Sequence, residues 1–127
     1  SSGSVTGMLV KSLKDLPTVM AEDGAEIREV LHPKNDPIGN HLSLAHAVVK
    51  KGQETKNHVL EIVEIYYILS GRGVMTIDRE KRKVKENDAI YVYPGSEQRI
   101  KNVGDVDLRF LVICAPPFSE DKSRVVE

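Results

Sequence analysis

The sequence is poor in the features that build cross-links, membrane spans or strongly charged surfaces. Its 127 residues include one cysteine, Cys114, so no disulfide can form within the chain, which favours a reducing cytoplasm. No stretch approaches the roughly 20 apolar residues that cross a bilayer, and we expect no membrane partner. Eighteen Lys and Arg against nineteen Asp and Glu give a formal charge of -1, which offers no bulk attraction for nucleic acid. A small-molecule ligand is the expected partner.

Length and composition indicate one globular domain. A chain of 127 residues can bury one core but not two, and its 40% hydrophobic and 29% charged residues are ordinary globular values. Residues 1–7 are small and polar and stop just before Met8, as the remnant of an expression tag does. We assign residues 8–118 to the domain. Residues 119–127, which follow two prolines, are predicted to be a solvated tail.

From Ser43 onward the chain alternates short β-rich runs with turn residues. The runs predicted to be strands are residues 43–49, 62–69, 74–77, 89–93, 98–102 and 108–114. Residues 25–31 fit either a short helix, capped by Asp23 and Glu26, or a strand that ends before Pro33, and their alternation favours the strand. No long helical period competes, so we predict an all-β fold.

Two stretches, residues 52–71 and 87–102, carry motif-like spacings. The first contains Gly52, His58, Glu64 and Gly71, and the second contains Asn87, Gly95, Gln98 and Asn102. Their order and spacing resemble the two motifs of the cupin family, with Leu60 and Gln98 in place of two family histidines. The resemblance implies a double-stranded β-helix, a jelly-roll β-barrel with a pocket at its centre.

The resemblance also implies a divalent metal, held in the family by three histidines and one glutamate. Only His58 and Glu64 are unchanged here, and Gln98 offers an amide oxygen, so the implied site would bind Fe, Mn or Zn less tightly than the full set. A straight strand would separate His58 from Glu64 by about 20 Å. The chain must therefore bend between them, although residues 59–63 contain no turn-forming residue.

Side-chain alternation extends the predicted pocket. Tyr66 and Ile68 share a face with Glu64, and Ile100 and Asn102 share a face with Gln98. We predict that Glu64 and Tyr66 are catalytic. The side chains predicted to contact substrate are Tyr66, His46, Ile68, Ile100 and Asn102. His46 has two readings, as a pocket residue or as a core histidine with satisfied hydrogen bonds.

Each candidate ligand also has an ordinary structural role. His58 can bond to backbone near a strand end, and Gln98 can be a barrel-lining amide. Glu64 can face solvent if the register shifts by one residue. If Glu64 faces inward instead, the cost of burying a carboxylate calls for a metal, a ligand or a proton.

The sequence is compatible with three functions. One is an enzyme of the isomerase, dioxygenase or lyase type that uses a divalent metal on a small polar substrate. The second is a non-catalytic module that binds a sugar or another small molecule and has lost its metal ligands. The third is a scaffold. We also expect a homodimer, since exposed edge strands give two copies a route to pair.

Overall fold

The computed structural model describes residues 7–127, which form two antiparallel β-sheets and no α-helix. Residues 1–6, most of the predicted tag remnant, lie outside the described residues. The strands are β1 (Val19–Met20), β2 (Glu26–Leu31), β3 (Ser43–Val49), β4 (His58–Leu60), β5 (Val63–Ser70), β6 (Arg72–Ile77), β7 (Glu80–Lys85), β8 (Ala89–Val92), β9 (Glu97–Asn102), β10 (Leu108–Ala115) and β11 (Ser123–Val125). Two short 3-10 helices, Leu13–Asp15 and Glu120–Lys122, complete the fold.

The two sheets face each other and enclose the core. One sheet has the order β1-β2-β3-β10-β5-β8 and the other β11-β4-β9-β6-β7. Consecutive strands alternate between the sheets in several places, as in a jelly roll, which confirms the predicted all-β barrel. Within the described residues no helix is long and apolar enough to cross a bilayer.

The six predicted runs all form strands, and residues 26–31 take the strand alternative. Strand β7 was not among the predicted runs. Its sequence, Glu-Lys-Arg-Lys-Val-Lys, is almost entirely charged because β7 is an edge strand and only Val84 faces the core. A charged edge resists pairing with other chains, so the usual apolar signature of a strand is missing.

The C-terminal residues, predicted to be a solvated tail, are mostly exposed, but three of them form a strand at the edge of a sheet. Strand β11 pairs antiparallel with β4, setting Val125 opposite His58 and Ser123 opposite Leu60. The Arg124 guanidinium lies 2.6 Å from the Glu61 carboxylate across this pair. The segment is short and polar, and it becomes ordered because β4 presents an open edge for its backbone.

The core is filled by large apolar side chains at one end of the barrel. The fully buried ones include Ile68, Ile100 and Leu108. The motif glycine Gly71 has a φ of +91°, and a Cβ there would lie 2.7 Å from the Asp107 carbonyl oxygen. Glycine is required at this turn because both the backbone conformation and the close approach exclude a side chain.

Candidate ligand-binding cavity

The opposite end of the barrel holds a cavity of about 580 Å³. Most of its wall is apolar, built from residues such as Ala25, Ile27, Ala47, Leu60, Phe110 and Val112. Its polar lining includes Asp23, Thr55, His58, Glu64 and Tyr66. An apolar chamber with a few convergent polar groups is the usual form of a small-molecule site.

The chain bends between His58 and Glu64, as the shared site requires. Strand β4 belongs to the five-stranded sheet and β5 to the six-stranded sheet, and Glu61 and Ile62 form the corner. The Glu61 N–H donates to the Lys122 carbonyl at 2.8 Å. A backbone bond from a distant segment therefore supports a corner that has no turn residue, and both His58 and Glu64 line the cavity.

Glu64 faces inward and lacks a partner for one oxygen. Its side chain is buried, and among residues 7–127 no hydrogen-bond partner reaches Glu64 Oε1. Burial, opposed by the Gln98 side chain and assisted by the negative charge of Asp23, raises the pKa of this carboxyl from 4.5 to about 7. Near neutral pH, Glu64 can therefore hold or release a proton.

Tyr66 and Gln98 form a buried pair beside Glu64. The Tyr66 hydroxyl donates to Gln98 Oε1, and within the described chain Gln98 Nε2 has no partner. Gln98 is fully buried and lies behind the cavity wall that Glu64 and Tyr66 form. Burial, followed by the charge of Glu64, raises the pKa of Tyr66 well above 10, so its hydroxyl stays protonated.

His58 is oriented by two partners on opposite sides of its ring. Its Nδ1 lies 2.8 Å from the Lys56 carbonyl oxygen, which can only accept, so Nδ1 carries a proton. Its Nε2 lies 3.5 Å from Asp23 Oδ2. The backbone bond thus fixes the ring and directs Nε2 toward Asp23.

Asp23 is a site residue that the sequence interpretation missed. It follows β1 in the turn before β2, where its Oδ1 accepts from the Ala25 N–H at 3.1 Å and its carbonyl accepts from the Lys56 N–H at 2.8 Å. In the sequence Asp23 stood out only as a candidate helix cap. No spacing linked it to His58, because β1 and β2 join the site only through tertiary packing.

Ile68, Ile100 and Asn102 face inward but do not line the cavity, contrary to the prediction. Ile68 and Ile100 are fully buried in the filled end of the barrel. The Asn102 amide donates to the carbonyls of Val49 at 3.0 Å and Val106 at 2.8 Å. The predicted alternation is correct, but the cavity occupies only one end of the barrel, so these side chains serve the core.

His46 also lies away from the cavity. It points to the outer face of the six-stranded sheet, into a separate groove of about 320 Å³. There its Nε2 accepts a hydrogen bond from Arg109 at 3.2 Å. Burial, then the charges of Arg109 and Arg28, lower the pKa of His46. The structure therefore favours the reading of His46 as a buried, hydrogen-bonded histidine.

The side chains present do not fit a bound divalent metal. Within residues 7–127 no three His, Cys, Asp or Glu side chains are placed to hold one ion. Leu60 occupies the position of a family histidine with 2% of its surface exposed, and the Gln98 amide oxygen is already bonded to Tyr66. His58, Glu64 and Gln98 come together as predicted, but they do not form a donor set for a metal.

This architecture, two facing antiparallel sheets with a cavity at one end, is that of a cupin β-barrel. The model of the cupin domain family matches residues 45–114, more than half of the chain, and the protein belongs to this family. It is 41% identical to the uncharacterized protein MJ1618 of Methanocaldococcus jannaschii, over 97% of this chain and 99% of that protein.

Solved structures share the fold at low sequence identity. A protein of Thermotoga maritima described as a predicted oxalate decarboxylase superposes with a TM-score of 0.75 and 22% identity, over 85% of this chain and 99% of that one. Streptomyces Pac13 with uridine superposes with a TM-score of 0.78 and 16% identity, over 96% of this chain and 93% of that one. Pac13 is described as a nucleoside dehydratase. At these identities the likeness shows the fold alone.

Proposed function

We propose that this cupin binds a small polar molecule in its barrel cavity without the help of a metal. The observation that carries the proposal is the buried Glu64, which lines the cavity and has one carboxyl oxygen without a hydrogen-bond partner among residues 7–127. A buried polar atom without a hydrogen bond costs about 1–3 kcal/mol, so folded proteins rarely keep one without a role. A ligand group that bonds to Glu64 recovers that energy.

The cavity has room for such a ligand. Its volume of about 580 Å³ lies in the range of known small-molecule sites, and Leu60, Phe110 and Val112 give it an apolar wall. Two structural neighbours are named for small-molecule chemistry, one on oxalate and one on a nucleoside. These neighbours support the binding of a small molecule in the pocket. Which molecule is bound depends on the residues of this chain.

A metal-free enzyme is the second candidate function, and the raised pKa of Glu64 favours it. A carboxyl with a pKa of about 7 is suited to exchange a proton with a bound substrate near neutral pH. Tyr66 would keep Gln98 in place behind Glu64. In this candidate Glu64 is the catalytic residue, and Tyr66 acts as a positioning residue.

A thermal-shift screen tests the binding proposal. We expect at least one compound in a panel of sugars, nucleosides and small acids to raise the Tm of the wild type, with EDTA present throughout. Ala25→Leu, which fills part of the cavity, should lose that shift, whereas Val106→Leu on an exposed loop should keep it. The proposal fails if no compound raises the wild-type Tm, or if Ala25→Leu responds like the wild type.

We also propose a homodimer formed through β8. The edge strands β1 and β11 have two and three residues, and β7 is charged, whereas β8 is an uncharged edge of four residues. Its Tyr91 is 48% exposed. An unprotected apolar edge favours pairing with an identical edge of a second copy about a two-fold axis. A cytoplasmic location stays a proposal that rests on the single, buried Cys114.

A further inference from the structure

The charged side chains that line the cavity are mostly acidic. Five carboxyl side chains line it, those of Glu22, Asp23, Glu29, Glu64 and Glu120. The one ammonium among the described lining residues belongs to Lys11, whose Nζ already lies 2.6 Å from Asp36 Oδ1. A bound anion would therefore meet carboxylates and find no free cation, so the charges disfavour anionic ligands.

The polar groups at the inner end of the cavity mostly accept hydrogen bonds. The Asp23 carboxylate is an acceptor, and its Oδ2 lies 3.5 Å from His58 Nε2, the ring nitrogen that the backbone bond leaves free. The Glu64 carboxyl, one oxygen of which has no partner among the described residues, is a second acceptor. A ligand that donates hydrogen bonds fits this arrangement, whereas a second carboxylate does not.

The donors beside this end are already engaged or lie out of reach of a ligand. The Tyr66 hydroxyl donates to Gln98 Oε1, and Gln98 itself lies behind the cavity wall. His58 Nδ1 donates to the Lys56 carbonyl. A ligand that brings its own donors, such as a hydroxyl or an ammonium, therefore suits this end better than a carboxylate does.

We infer that the ligand is a hydrogen-bond-donating molecule with an apolar body and no anionic group, and that carboxylates such as oxalate are excluded. The inference rests on the proposed function and narrows it. Asp23, His58 and Glu64 are too dispersed to share one metal ion, but they line one chamber that an extended molecule can span. The apolar wall of Leu60 and Phe110 would hold the body of that molecule.

A matched set of probes tests the inference. Phenylethanediol, mandelate and phenylethylamine share one apolar body and carry a diol, a hydroxy acid and an ammonium, and oxalate is the fourth probe. Binding is followed by the methyl signals of Ala47 and Val112, which line the cavity. We expect the diol and the amine to bind at least about tenfold more tightly than mandelate, because a single contact between the mandelate carboxylate and a lining carboxylate costs more free energy than a tenfold change in affinity represents. Oxalate should not perturb these signals.

Variants connect the preference to the carboxylates. Asp23→Asn combined with Glu64→Gln should narrow the gap between diol and mandelate, whereas Asp105→Asn on an exposed loop should leave it unchanged. If mandelate or oxalate binds the wild-type cavity as tightly as the diol, the inference is overturned and the proposed function still stands. Absence of binding by all four probes also overturns it, and the proposed function is then judged by its own wider panel.

Discussion

Replacing Glu64 by glutamine should change how the stability of the protein depends on pH. The folded state raises the pKa of this carboxyl to about 7, while the unfolded chain returns it to about 4.5. Between these values the unfolded state has lost the proton and the folded state keeps it. Because the unfolded state ionises first, the contribution of Glu64 to the free energy of unfolding falls as pH rises from 4.5 to 7. Above that range this contribution is constant.

The size of the effect follows from the two values. Each pH unit between them is worth about 1.4 kcal/mol, which gives a loss of about 3 kcal/mol by pH 7.5. Glutamine has the same shape but does not ionise, so Glu64→Gln should lack this contribution. The free energy of unfolding of the wild type, minus that of Glu64→Gln, should therefore fall by about 3 kcal/mol between pH 4.5 and 7.5.

Urea titrations at half-unit steps of pH measure this difference directly. Subtracting the variant removes the contributions of the other titrating groups, and Glu86→Gln on the exposed surface should give a difference that is flat with pH. A flat difference for Glu64→Gln as well would refute the reasoning, since it would mean that the buried carboxyl is ionised in the folded protein. A rising difference would indicate a cationic partner for Glu64.

Three further sets of substitutions test separate parts of the structure. Leu60→His together with Gln98→His should create stoichiometric binding of Mn(II) or Zn(II) in calorimetry, and stoichiometric binding by the wild type would contradict our view of the site. Tyr66→Phe should destabilise the fold by about 1–3 kcal/mol in urea, because Gln98 Oε1 loses its donor. The exposed Tyr67→Phe should cost less than about 0.5 kcal/mol, and equal losses would argue against the buried pair. Tyr91→Lys should convert the proposed dimer to a monomer in light scattering, and an unchanged mass would exclude pairing through β8.

Much of the barrel could be predicted because its signals are local. Strand β10 alternates buried and less buried side chains along its length, and that period is visible without a structure. Turn residues such as Gly71 mark the ends of strands for steric reasons that any sequence displays. Strands β4, β7 and β11 lacked such signals, since each is either very short or a polar edge.

The site could be predicted only in part. The meeting of His58, Glu64 and Gln98 could be predicted because the motif spacing of a family reflects where its strands lie. The inward orientation of Tyr66 follows from alternation along β5. Asn102 shows the limit of the same reasoning, since its correct inward orientation ends in backbone hydrogen bonds and not in the cavity. Alternation reports which face a side chain takes, but not which end of the barrel is empty.

By itself, the sequence determined the all-β class, most strands, and the absence of two family histidines at Leu60 and Gln98. Only the tertiary structure decided that Asp23 joins His58, that β11 completes a sheet, and that His46 faces outward. The physical reason is the range of the interactions involved: periodicity and turn geometry act between neighbouring residues, whereas cavities, burial and pKa shifts arise where distant segments pack together.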